Sequence, residues 1–218
     1  MRTAQAYAHL LRLPRPVVTT REAAALFKVE KTLAVYLLGQ MARDGLVFRV
    51  RRGLWAVADR IKPLALPEYL TAPFPSYVSL WTALSYHGMI TQVPGAIHVI
   101  STGRPKRLTT ALGAYQVHKI RSELFGGFET RVEGNIARPE KALFDTVYVS
   151  GSWRKRIVRL PELDIPPRFN RKNLLYWIGR IASPALRKVT ARQLERVMLA
   201  AGVHFRTGPV RTAGGSRR

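Results

Sequence analysis

Residues 19–57, TTREAAALFKVEKTLAVYLLGQMARDGLVFRVRRGLWAV, decide how the rest of this chain is read. Thr19 and Glu22 have the S/T-x-x-E spacing of a capping box, in which each side chain satisfies a free backbone donor at a helix start. A helix is expected from there through Phe27, with Lys28 and Val29 as the turn and a longer helix over 30–43. Asp44-Gly45 ends it, glycine being the usual residue in a left-handed cap. Strands over 46–50 and 54–58 then alternate around Arg51, Arg52 and Gly53. Upstream, a further helix over 3–13 runs into Pro14 and Pro16.

Three helices followed by an arginine-tipped hairpin make the order of a winged helix-turn-helix, which lays one helix in the DNA major groove and a β-wing along the backbone. On the 30–43 helix, Leu33, Ala34, Leu37, Leu38 and Met41 form the apolar face expected to pack on the first two helices. The opposite side presents Thr32, Val35, Tyr36, Gly39 and Arg43, flanked by Lys31 and Gln40. Those residue types suit base edges and phosphates: Arg and Lys for guanine or phosphate, Gln for adenine, Thr and Val for the thymine methyl. Lys31, Thr32, Val35 and Tyr36 are assigned to bases, Arg43 nearer the backbone. Thr20 and Arg21, at the start of the preceding helix, are assigned to phosphates, and Arg49, Arg51 and Arg52 of the wing to phosphates or a minor groove.

Charge points to the same partner. Thirty-six Lys and Arg against 13 Asp and Glu give +23 over 218 residues, the footprint of a polyanion binder. The excess is not uniform. It is +8 over residues 1–62, +2 over 63–150 and +13 over 151–218, so a near-neutral block separates two basic ends. The absence of cysteine excludes disulfides, thiolate metal sites and cysteine nucleophiles. No apolar run long enough to span a bilayer and no signal-peptide pattern is present, so a cytoplasmic protein without membrane contact is expected.

The fold class expected is α+β, divided into a winged helix-turn-helix over 1–58, a linker over 59–75 marked by Pro63, Pro67, Pro73 and Pro75, an α+β core over 76–150, a basic helical part over 151–206, and a disordered tail over 207–218. In the core a helix is expected over 77–87, strands over 96–101, 114–120 and 128–132, and a closing helix over 139–149 that starts on Pro139. Basic helices are expected over 172–182 and 191–201. Val78, Trp81, Leu84 and Tyr86 read as core positions of the 77–87 helix. His87 reads as a helix-end cap or core histidine, and His98 and His118 as strand residues at unrelated places.

Catalysis finds little to stand on. A nuclease or nucleotidyltransferase needs clustered carboxylates to hold Mg²⁺, whereas Glu123, Glu129, Glu133, Glu140 and Asp145 are scattered singly. Gly103-Arg104-Pro105-Lys106 lacks the pattern of a phosphate loop, and no nucleophile elbow occurs. No enzyme, no cofactor and no metal site are expected. Asp145 is expected to orient Arg138 or Lys141 in a structural role.

The segments YVSLWTALSYHGMI (77–90), PGAIHVISTGRPKR (94–107), GAYQVHKI (113–120), ELFGGFE (123–129) and IARPEKALFDTVYV (136–149), with the RVRRGLWAV wing, resemble the AbiEi antitoxin family of type IV toxin–antitoxin systems. The resemblance covers about residues 2–200 through several small motifs in order. It implies a DNA-binding N-terminal domain and a C-terminal antitoxin domain. It further implies repression of the protein's own operon at inverted repeats, and neutralisation of a nucleotidyltransferase-like toxin, without a stable complex in members called type IV. Family members also occur without a toxin gene, so a stand-alone regulator, ligand-sensing or not, is the alternative. The protein is expected as a monomer in solution or a dimer on DNA. The basic C-terminal segment, with Arg154, Lys155, Arg156, Arg171, Lys172, Arg187, Lys188, Arg192 and Arg196, has three readings. It extends the DNA footprint, meets RNA or an RNA-bound toxin, or is a solvated face.

Overall fold

The computed structural model describes residues 2–152 and 162–207. Among them the chain is a mixed α+β structure of eight α-helices and two sheets. It begins α1 (Thr3–Leu11), β1 (Val17–Thr19), α2 (Thr20–Phe27), α3 (Lys31–Arg43), β2 (Val47–Arg51), β3 (Leu54–Val57). The three strands form an antiparallel sheet in the order β1-β3-β2. The capping box forms as the spacing requires: the Thr19 hydroxyl accepts from Glu22 N at 3.2 Å, and Thr19 N donates to the Glu22 carboxylate at 2.8 Å. β1 was missed. Only three residues long, it shows too little alternation to read, and it exists because Val17, Val18 and Thr19 pair with Ala56, Trp55 and Leu54.

The second sheet takes β4 (Ser76–Val78), β5 (Ile97–Ser101), β6 (Lys106–Thr110), β7 (Gly113–Lys119), β8 (Phe128–Arg131) and β9 (Gly134–Ala137) in the order β6-β7-β5-β4-β9-β8. α5 (Leu80–Tyr86), α6 (Pro139–Ser152), α7 (Arg171–Gly179) and α8 (Pro184–Ala200) pack with it into the largest core, where Leu84, Phe144, Leu174 and Leu194 meet Tyr77, Ile100 and Ile136. The helix expected over 77–87 is therefore a strand followed by a shorter helix. Tyr77 and Val78 belong to β4, Leu80 turns the chain with φ 53°, and Tyr86 is exposed.

Consecutive strand residues face opposite ways, and this sheet uses both faces. Ile100 points into the helical core. Its neighbour Val99, with Tyr115 and Val117, meets Phe48, Val50, Leu54 and Ala56 of the β2–β3 hairpin. Leu66 and Leu70 of the stretch expected as a linker lie in the same contact. That stretch is not a free tether. It holds a 3-10 turn over Ala58–Arg60 and α4 (Pro67–Thr71), begun by a proline at the first helical turn. The Arg60 guanidinium donates to the carbonyls of Leu10, Leu11 and Leu13 at and just beyond the end of α1, where helix carbonyls lack their usual i+4 donors. Each buried Phe, Val or Leu side chain is worth about 1.5–3 kcal/mol over its exposed state, so the hairpin is fixed against the large sheet. At the far edge, Gly134 (φ 127°) passes so close to the Leu64 carbonyl that a Cβ there would collide.

Candidate nucleic-acid interface

α3 is a two-sided helix. Ala34, Leu37, Leu38 and Met41 are buried with Ala6, Leu10, Ala23 and Phe27 from α1 and α2. Leu33, expected in that stripe, is 40% exposed. At about 100° per residue it sits about 90° from the stripe's centre, on the flank rather than in the seam. Lys31, Thr32, Val35, Tyr36 and Arg43 are all exposed, Tyr36 at 60% and Val35 at 46%. Gln40 and Gly39 are half-buried, and no atom lies within 4 Å of where a Gly39 Cβ would be. The outward side of α3 is thus a mixture of cation, hydroxyl, aromatic ring and bare backbone.

Arg21 is exposed at the start of α2, but Thr20 is not available as expected. It is 7% exposed, and its hydroxyl accepts from the Trp55 indole at 3.1 Å, while its N–H donates to the Gly53 carbonyl at 2.9 Å. Thr20 fastens the hairpin to α2. The three hairpin arginines are exposed but do not form one row. Arg49 is paired with Trp55, which packs towards the α1–α3 core. A bulge between Arg49 and Arg51 then sets Arg51 opposite Leu54, a residue of the contact with the large sheet. Side chains of paired residues share a face, so Arg49 belongs to the side of the helices and Arg51 to the side of β6.

Among the described residues the ion pairs are Arg15–Glu22, Lys62–Glu133, Arg121–Glu123, Arg131–Glu129, Arg138–Glu129 and Lys141–Asp145. None of these involves a cation of α3 or of the hairpin. The acids scattered through the 76–150 segment have partners of their own. Glu123 and Glu129 hold arginines, Glu133 faces Lys62, and Glu140 accepts from the Asn170 N–H. Asp145, fully buried, pairs with Lys141 and accepts from Tyr77 Oη at 3.0 Å and Ser79 Oγ at 2.7 Å. Burial pushes its carboxyl up and the Lys141 ammonium down, each opposed by the other's charge. Lys141 is the partner expected for Asp145; Arg138 instead pairs with Glu129.

His98 and His118 are not unrelated. β5 and β7 run side by side in parallel, and the two rings stack with His98 Nδ1 3.1 Å from His118 Nε2. His87 sits at the end of α5 with Nε2 2.7 Å from the Ala137 carbonyl. No group of three or more potential metal ligands gathers among the described residues.

In the C-terminal part, Arg171 and Lys172 are exposed at the start of α7, Arg171 donating to the His204 carbonyl, and Arg192 and Arg196 are exposed on α8. Arg154, Lys155 and Arg156 lie outside the described residues, as does the tail beyond Thr207. Thr207 itself donates to Glu195. A basic cluster not anticipated as a site is Arg104, Lys106 and Arg107, all exposed at and before β6. Three cations within four residues are visible in the sequence, but they lie in the near-neutral block, where the segment's charge total hides them. No helix among the described residues is long and apolar enough to cross a membrane. Compared with protein-family models and with curated proteins, the chain matches none, and the likeness to AbiEi antitoxins rests on the motifs quoted above.

Proposed function

We propose that this protein is a DNA-binding transcriptional regulator built on an N-terminal winged helix-turn-helix, in which α3 reads the major groove of duplex DNA and the β2–β3 hairpin is the wing. The observation that carries it is the outward side of α3. Lys31, Thr32, Val35, Tyr36 and Arg43 stand exposed around a glycine that costs the helix about 1 kcal/mol relative to alanine. That glycine leaves backbone open to close approach. Cations on this helix and on the hairpin that form no ion pair among the described residues, in a chain of +23, support a polyanion over a protein partner. The element order and the β1-β3-β2 sheet support the wing assignment.

On the resemblance, the regulator is an autorepressor and the antitoxin of a type IV pair that counteracts a nucleotidyltransferase-like toxin, acting in the cytoplasm without cofactor or catalysis. The stand-alone regulator, ligand-sensing or not, shares the DNA-binding half and lacks the toxin. Expressing the gene beside this one, with and without the full chain, separates them. Growth arrest relieved by the chain supports the antitoxin; arrest that the chain does not relieve, or no arrest, leaves the stand-alone regulator.

A further inference from the structure

The hairpin does not stand away from the large sheet, and its basic surface does not end at its own tip. Lys106 is paired with Val117 on the edge strand β6, and Val117 faces the hairpin beside Leu54 and Val50. Arg51 shares the face of Leu54. Arg51 and Lys106 therefore border the same apolar contact from its two sides. Their charges meet there: burial, and then Arg51, lowers the Lys106 pKa. Lys106 Nζ is held by the Leu70 carbonyl at 2.7 Å, which leaves two of its three donors unused. Arg104 shares the rim of a shallow hollow with Lys106 and Phe74. No ion pair among the described residues neutralises Arg51, Arg104 or Lys106.

We propose that Arg104 and Lys106, together with Arg51, form a second phosphate-contact surface, so that a bound duplex runs past the wing onto the edge of the large sheet. Like charges brought together without an acid repel one another, and a phosphodiester backbone relieves that repulsion. Lysine on an edge strand also blocks strand addition, but that role would not require Arg51 to turn towards it. The inference rests on the DNA-binding reading and extends its contact surface.

The test uses the full chain and a duplex carrying the DNA upstream of its own gene, with binding measured across a salt series for Arg104→Gln, Lys106→Gln and Arg107→Gln. Arg107 is the control. It is paired with Gln116, so it lies on the opposite face, where its charge acts on His118. Arg104 has no side-chain hydrogen bond among the described residues to lose, so its variant keeps the test valid if Lys106→Gln disturbs the fold; thermal melting checks each. Arg104→Gln and Lys106→Gln should each lower the log–log salt slope by about 0.9 and weaken specific and scrambled duplex alike, with Arg107→Gln unchanged. An unchanged slope in Arg104→Gln, or an equal fall in Arg107→Gln, overturns the surface while leaving the α3 reading intact. Failure of the unmodified chain to bind any duplex overturns both.

Discussion

The Trp55 indole donates its N–H to the Thr20 hydroxyl across 3.1 Å, joining the β2–β3 hairpin to the first turn of α2. With the Thr20 N–H on the Gly53 carbonyl, it sets the angle between the arginine-bearing hairpin and the α2–α3 pair. The proposed DNA-reading role requires that angle to be fixed, because helix and wing would have to meet one duplex together.

Thr20→Val keeps the side-chain shape and removes the acceptor. It should cost about 1 kcal/mol of stability in chemical denaturation. The salt slope of DNA binding should not change, since the hydroxyl is turned inward. A slope reduced by a full contact would return Thr20 to the phosphate-binding set.

Arg51→Ala with Arg52→Ala should weaken binding to every duplex by the same factor and flatten the salt slope by about 0.9 per lost contact. Lys31→Ala or Tyr36→Ala should instead change which sequence is preferred, by about 1–3 kcal/mol at the affected base pair. Competition binding against single-base operator variants reads the difference. A uniform loss in the α3 variants would contradict base reading.

What could be seen in the sequence was what is local. The capping box at Thr19 and Glu22, the buried stripe of α3 and the turn at Arg52-Gly53 each depend on residues a few positions apart. Tyr77, Val78, Trp81 and Leu84 fall near helical spacing, which hides β4; the break comes at Leu80, whose positive φ no pattern announces. Polar β6 and four-residue β9 carry no alternation strong enough to read. The inward role of Thr20 is hidden from the sequence because its partner Trp55 lies 35 residues on. The same holds for His98 and His118, which only sheet register brings together, and for Arg51 with Lys106. Prolines at 63–75 suggested a tether, although Pro67 starts a helix whose Leu70 is buried.

The Lys141–Asp145 pair is the most exacting feature of the large core. Lys141 lies 4.5 Å from the centre of the Trp177 ring and 4.9 Å from that of Phe144, and both charges are out of water. Lys141→Met leaves Asp145 buried without its cation and should cost about 3–5 kcal/mol. Lys141→Met with Asp145→Leu should recover part of that, the remainder being the stranded hydroxyls of Tyr77 and Ser79. Urea unfolding of the single and double variants gives the coupling directly. A single variant costing less than about 1 kcal/mol would contradict the paired, ionised arrangement.

Burial, then the charges of His98 and Arg107, lower the His118 pKa to about 4; burial also lowers His98. A histidine held below its unfolded pKa of about 6.5 is neutral when folded and takes up a proton on unfolding. Its contribution to stability is therefore intact above about pH 6.5 and is lost as pH falls towards 4. His118→Gln should flatten the fall of the melting midpoint across that window. An unchanged pH profile would contradict the burial of a neutral ring.

The central claim is that α3 reads a specific operator. Its most direct test is binding of the full chain to DNA upstream of its own gene, against scrambled duplex of equal length, from low to near-physiological salt. A site-specific repressor retains a large preference for its own DNA at the higher salt. Equal, salt-fragile binding to both duplexes would reduce the +23 charge to a generic attraction for polyanions and remove the operator-reading role from α3.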